Sequence, residues 1–392
     1  MHIQKRLVVQ FTGYEGLHAK AIRGRHIQAV NDFDKLWHVK STAGAINKTS
    51  DFTSTMQVTS KAENWQTESE FCQFSSAEIY DHYAARNTIT RIITGFRAFA
   101  SIVLTGTLYR YARNSWRFVL FFLWPFLLSA TLIAITGMIA AAPLIAGLSM
   151  LHLFWSLPLS LMIATILIRH PGDKLFFSYL LDDWSAAYDR VKGKSPLLQK
   201  QRTDFAESLT KKLQTTDAQE VIVFAHSLGS VQAIEALADV WREHPDLLRK
   251  QPVSLLITGS CLLMIALHPR AKALREDVRL IMEDSPVLWT EIQVLTDIIH
   301  FYGSDPAKAL KINAGQKPLI HHMRFKHMHS EKRYQRAKGN FFRMHLLYLK
   351  GAQIKNFYDP GMMLHGPFSL QYLATEHWGQ PAPIDYIEVS NT

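Results

Sequence analysis

Between Arg117 and Arg169 the chain runs for 51 residues without an Asp, Glu, Lys or Arg, and about 20 apolar residues already suffice for a helix to cross a bilayer. Such a segment folds where it need not meet water. Its length fits two crossings, and Pro143 with Gly147 falls near the middle, where a turn between two helices belongs. The pattern predicts helices over 117–140 and 146–168. Arg110, Arg113 and Arg117 precede the pair and Arg169 and Lys174 follow it, whereas the turn is uncharged. The positive-inside rule then puts both flanks, and the bulk of the chain, in the cytoplasm. A re-entrant hairpin is the competing geometry, given Pro125, Pro143 and Pro158. Burial in a globular core is a third, disfavoured because core helices seldom run so far without a polar face. Residues 77–113 read as helical, with Ile92, Ile93, Phe96, Phe99, Ile102 and Val103 at helical spacing among arginines. That pattern fits an interfacial helix and a core helix equally.

The 392 residues of the whole chain suffice for one to three domains. A hydrophobic share of 48% excludes disorder, and a charged share of only 19% agrees with part of the chain lying outside water. The net charge of +10 favours anionic membranes, nucleic acid or acidic ligands without choosing among them. Cys72 and Cys261 are too few for a disulfide framework or a cysteine zinc site, so a reducing compartment is the default. The first apolar run is too short for a signal peptide and reads as structure.

The soluble parts alternate short apolar runs with helical patterns, the pattern of an α/β sheet with flanking helices. Strands are expected at 7–11, 53–60, 65–71, 220–224, 253–258, 290–295 and 319–325, and helices at 199–213 and 228–242. In the last helix Val231, Ile234, Leu237, Ala238 and Trp241 form the inward face, with Glu235, Asp239 and Arg242 outward. The chain divides into 1–113, a hairpin unit at 114–170, and 171–392.

The strongest chemical signal is Val221-Ile222-Val223-Phe224-Ala225-His226-Ser227-Leu228-Gly229, a strand that stops at a serine and becomes a helix. Small residues two positions to either side let a serine sit on a tight, strained turn with its Oγ projecting above the sheet. The following helix aims its N–H groups at a developing oxyanion, with Leu228 first. At these residues the chain resembles the α/β-hydrolase superfamily, with Ala225 where the first glycine is usual. The resemblance implies a mostly parallel sheet, a triad in the order serine, acid, histidine, and a second oxyanion donor after an early strand. Gly13 or Tyr14, in Phe11-Thr12-Gly13-Tyr14, best matches that donor.

For the acid, Asp297 ends the next-but-one strand after the serine, with Asp305 before Pro306 as the reserve. It would hold the imidazole in its working tautomer. Among 18 histidines, His345 is preferred because it follows the last expected strand and opens a helix, with His329 in reserve. It would take the Ser227 proton and return it to the leaving group. His226 points away from the serine and lines the site. In an extended 319–329 segment His321, His327 and His329 would share a face, but no carboxylate accompanies them and the spacing matches no helical zinc motif. The basic 317–336 segment lacks a nucleic-acid-reading motif, and anionic lipid accounts for its charge. The expectation is a membrane-associated serine ester hydrolase needing no cofactor or metal, with a lipid-like acyl ester as substrate and the bilayer as partner. An acyltransferase using the same serine and a non-catalytic membrane scaffold are the alternatives.

Overall fold

A computed structural model describes residues 2–313, 315 and 317–384. Its framework is a nine-stranded sheet of β1 (Lys5–Phe11), β2 (Lys40–Ala43), β3 (Asn47–Lys48), β4 (Thr53–Lys61), β5 (Gln66–Phe74), β6 (Glu220–His226), β7 (Val253–Thr258), β8 (Leu288–Val294) and β9 (Leu319–Met323). The order is β2-β4-β5-β1-β6-β7-β8-β9, with β3 paired to β4. From β5 to β9 all neighbours are parallel, and β2, β3 and β4 form an antiparallel margin. The chain is therefore α/β with a mostly parallel sheet.

Central strands buried on both faces explain the unbroken apolar runs. Leu7, Val9 and Phe11 face one core with Val221, Val223 and Ala225, while Val8, Ile222 and Phe224 face the other. The second core is closed by α1 (Ala19–Trp37), through Phe33 and Trp37, and by C-terminal residues such as Tyr348, Met363 and Leu370. Arg6 fastens that closure. Its buried guanidinium pairs with Glu220 at 2.9 Å and donates to the carbonyls of Gly366 and Phe368, and Glu220 accepts from the Leu370 amide. The short polar strands β2 and β3 were not expected because they lack an apolar period, and α1 was not expected although Ile22, Ala29, Val30, Phe33 and Trp37 recur at helical spacing on its buried face.

Between β5 and β6 the chain is helical: α2 (Ala77–Ala84), α3 (Thr88–Leu104), α4 (Thr107–Asn114), α5 (Trp116–Ile145), α6 (Leu153–Leu167), α7 (Phe177–Lys192) and α8 (Pro196–Thr215). The expected helix at 77–113 is three helices, with a 75° bend between α3 and α4. Two helical stretches, Trp116–Ile145 and Met150–Gly172, are long and apolar enough to cross a membrane. They depart from the expected bounds. Pro143 lies inside the last turn of α5, and the chain reverses at Gly147, whose φ of +75° closes the helix as the Gly147 and Leu148 amides donate back to Leu144 and Pro143.

The root of α5 belongs to the soluble core: Phe118, Phe121, Phe122 and Phe126 are buried. Beyond it the side chains turn outward, with Ile133 66% and Phe154 87% exposed, an apolar surface that water would penalise. The 19 residues from 127 to 145 give about 28 Å of helix, close to the roughly 30 Å hydrocarbon layer. Ser156 Oγ donates to the Ala140 carbonyl at 2.9 Å and Ser160 Oγ to that of Thr136 at 2.7 Å, tying the two helices together.

After β6, α9 (Gly229–Glu243) packs back across the sheet. Its expected outward face is only half right, since Glu235 is buried and paired with Arg190 of α7. A Cβ on Gly229 would fall well inside contact distance of the Phe11 carbonyl. The helix can start this close to β1 only because position 229 has no side chain. Gly229→Ala should cost about 3 kcal/mol of stability, measured by thermal or denaturant unfolding in neutral detergent. A change below about 0.5 kcal/mol, the range of ordinary surface substitutions, would refute the close-approach account.

Candidate active site

Parallel sheets gather functional groups at the carboxyl ends of their strands, and here β1, β6, β7 and β8 deliver Gly13, Ser227, Cys261 and Asp297 to one end. Ser227 follows β6 directly and has a φ of +58°, a left-handed conformation rare outside glycine. Its backbone is held on both sides. The Ser227 amide donates to Thr258 at 3.1 Å, and its carbonyl accepts from the amides of Ser230 and Cys261 and from Ser230 Oγ at 2.6 Å. Gly13 permits the early loop to press on the serine, since a Cβ there would stand 2.9 Å from Ser227 Cβ. Among the described residues, the amides of Gly13, Tyr14 and Leu228 donate to no backbone carbonyl.

Asp297 and His345 meet. His345 Nδ1 lies 2.7 Å from Asp297 Oδ2, both groups are buried, and the Ile299 amide donates to Oδ1 at 3.0 Å. A second ring nitrogen, His300 Nδ1, lies 3.1 Å from the same Oδ2. Burial works against the Asp297 charge, but attraction to His345 and His300 and the hydrogen bond from His345 outweigh it, holding the carboxyl below the usual range. His345 closes the short helix Phe341–His345 rather than opening one, because the Asn340 side chain caps that helix by accepting from the Arg343 amide. Gly259, at φ +55°, makes room for the ring: a Cβ there would lie 2.9 Å from His345 Cε1.

The other anticipated residues are placed elsewhere or otherwise engaged. Asp305 caps the helix Pro306–Leu310, accepting from the Ala307 amide at 2.8 Å. His329 is buried and hydrogen-bonded to the Leu347 carbonyl at 3.1 Å. The segment 319–329 is not extended throughout, for β9 ends at Met323 and a tight turn spans Phe325–His327. His321 stacks on Trp378 instead of facing its neighbours. His226 bonds the Thr258 carbonyl at 3.1 Å, and its ring lies 4.4 Å from that of His345. Burial, then the His345 ring, keeps His226 far below the usual histidine range and hence neutral.

Ser227, His345 and His226 line one cavity of about 370 Å³ with Gly13, Tyr14 and Leu228. Ser227 Oγ is turned toward Cys261 Sγ at 3.4 Å, and His345 Nε2, though buried, has no hydrogen-bond partner among the described residues. The serine hydroxyl and the free imidazole nitrogen thus share a space in which neither bonds the other. Rotation about the serine side-chain bond is the motion that would redirect the hydroxyl from the thiol. Chemically, the set offers a hydroxyl nucleophile, an imidazole oriented by a carboxylate, and unengaged amides beside the hydroxyl. Among the described residues no group of three or more His, Cys, Asp or Glu is arranged to hold a metal.

Sequence reasoning missed Cys261 and Asp183 in this wall. Asp182 and Asp183, adjacent carboxylates of α7, are both buried. Asp182 lies 3.4 Å from Arg91, whereas Asp183 lines the cavity with Oδ1 unpartnered among the described residues. Its flanks, Leu180, Leu181 and Trp184, were the available signal, since they place the carboxylates within an apolar surface. Burial, then Asp182, pushes Asp183 up to about 8.

In comparisons with known proteins, no family model, no curated protein and no solved structure matches the chain.

The Asp183 carboxyl has an ordinary value of 3.8 when unfolded, so between there and about 8 the folded state binds more of its proton. Its contribution to stability falls as pH rises through that window and is level above it. Asp183→Asn should therefore stabilise the protein, slightly near pH 4 and by a few kcal/mol, on the order of the shift, from pH 8 upward. Thermal melts in neutral detergent from pH 4 to 9 test this. A gain that does not grow with pH, or a loss at pH 8, contradicts it.

Proposed function

We propose that the chain is a membrane-tethered serine hydrolase, organised like an α/β-hydrolase, that cleaves an acyl ester drawn from the bilayer. The observation that carries the reading is Ser227, held in a left-handed turn between β6 and α9, lining one cavity with a His345 ring bonded to Asp297 at 2.7 Å. Ser227 Oγ turns from Cys261, attacks the ester carbonyl and gives its proton to His345 Nε2. The resulting oxyanion is stabilised by the Leu228 amide and by that of Gly13 or Tyr14. Imidazolium then protonates the leaving alcohol as the C–O bond breaks, and water, deprotonated by the same ring, releases the acid and restores the serine. Asp297 stabilises the transient imidazolium.

The amphiphilic substrate is supported by where the cavity lies. Phe121 of the α5 root lines it, with Phe176 from the end of the hairpin and Phe342 one turn before His345. The wall of the site is thus the base of the membrane hairpin, so an acyl chain leaving the bilayer meets apolar surface up to the serine.

A fluorophosphonate probe should label wild-type protein at Ser227 and not Ser227→Ala. Short-chain ester hydrolysis should fall by at least about 10³-fold in that variant and in Asp297→Asn. Undiminished hydrolysis by Ser227→Ala would remove the serine from the reaction.

The same reading has the hairpin cross the bilayer twice, with the catalytic domain in the cytoplasm. A cysteine at Leu148, in a chain with Cys72 and Cys261 replaced, should react with a membrane-impermeant maleimide from outside intact cells, and one at Lys174 should not. Protection of Leu148→Cys until the membrane is opened would favour a re-entrant hairpin.

A further inference from the structure

The cavity beside Ser227 has an electrostatic character opposite to that of the chain. The protein carries a net +10, yet among the described residues no Lys or Arg lines this space, and its two acidic side chains are Glu15 and Asp183. Glu15 is answered outside the cavity by the Arg25 guanidinium, in a two-point contact at 2.6 and 2.7 Å. Asp182 has Arg91. Asp183 has neither: it is 8% exposed, Oδ1 is without a partner among the described residues, and the nearest carboxylate, Asp182, repels its charge. A buried carboxyl left in this state is costly to the fold, and such groups persist where a ligand completes them.

The surroundings select the ligand's chemistry. Tyr80, Phe121, Phe176, Tyr179 and Trp184 share the cavity with Asp183, and aromatic faces attract cations and not anions. A hydroxyl would supply one hydrogen bond but could not draw the carboxyl, which burial holds largely protonated near neutral pH, into its charged form, and a phosphate group would meet acidic side chains and aromatic faces. A protonated amine supplies both an N–H donor and the opposite charge. We propose that the cavity receives a cationic amphiphile, an acyl ester whose alcohol portion bears a protonated amine that pairs with Asp183. This deepens the hydrolase reading and rests on it for the bond that is cleaved, but not for the binding of the amine. Asp183 is then a specificity residue, and the stability it forfeits in the empty cavity is the counterpart of selectivity.

Two measurements on the full-length protein in neutral maltoside micelles test the proposal separately from the hydrolase reading. In the first, N,N-dimethylhexylammonium chloride is titrated calorimetrically into wild type and Asp183→Asn, whose folding is checked by its melting curve. Binding should weaken by at least about 10-fold in the variant, the loss of one charge-assisted hydrogen bond. In the second, kcat/KM is compared for 2-(dimethylamino)ethyl butyrate and its uncharged isostere 3-methylbutyl butyrate at pH 7.5. The ratio should exceed about 10 in wild type and approach about 1 in Asp183→Asn. Equal amine affinity in the two proteins, or cleavage of both esters by wild type at similar efficiency, overturns the proposal and leaves the hydrolase reading standing. Asp183-dependent amine binding with neither ester cleaved upholds the binding site and overturns the hydrolase reading.

Discussion

The left-handed turn at Ser227 is the constraint from which the arrangement of the candidate site follows. A non-glycine residue at a φ of +58° is unfavourable by roughly 1–2 kcal/mol, and three structural features hold it there. The Thr258 carbonyl receives its amide, its own carbonyl receives the amides of Ser230 and Cys261, and Gly229 lets α9 begin against the Phe11 carbonyl. Those contacts come from β1, β7, the loop after β7 and the start of α9, so the turn exists only when the parallel sheet is assembled. The same sheet then sets the distance to everything else: Gly13 touches the serine because β1 lies beside β6, and Asp297 arrives because β8 is two strands away.

Glycines in this region set how closely elements approach. Gly13 admits the early loop to the serine, and Gly259 admits the His345 ring. Each removes a Cβ at a point where two elements would otherwise be held apart, so with Gly229 three glycines define how closely elements approach around one hydroxyl. Polar groups in that space are asymmetrically satisfied. Asp297 is bonded by His345 and the Ile299 amide, while His345 Nε2 and Asp183 Oδ1 are left open toward the cavity.

The apolar helical hairpin and the sheet are joined rather than appended. Phe118 stacks on Phe301 at 4.2 Å, Phe122 packs against Trp184, and Phe121 meets Phe341. Phe301 follows the Asp297 turn, and Phe341 belongs to the helix that ends in His345. The first three turns of α5 therefore support the two elements that carry the carboxylate and the imidazole.

The uncharged 51 residues and the apolar strand ending in a serine with small neighbours were legible without a fold, because hydropathy and local backbone preference act within a few residues. Asp297 was legible for the same reason, as a carboxylate where strand gives way to loop. The meeting of Asp297 with His345 among 18 histidines, the turning of Ser227 toward Cys261 and the burial of Asp183 were decided by tertiary structure. Those outcomes depend on contacts between residues tens to hundreds of positions apart. Whether a carboxylate is solvated or enclosed depends on what packs over its helix, and local sequence carries no record of that neighbour.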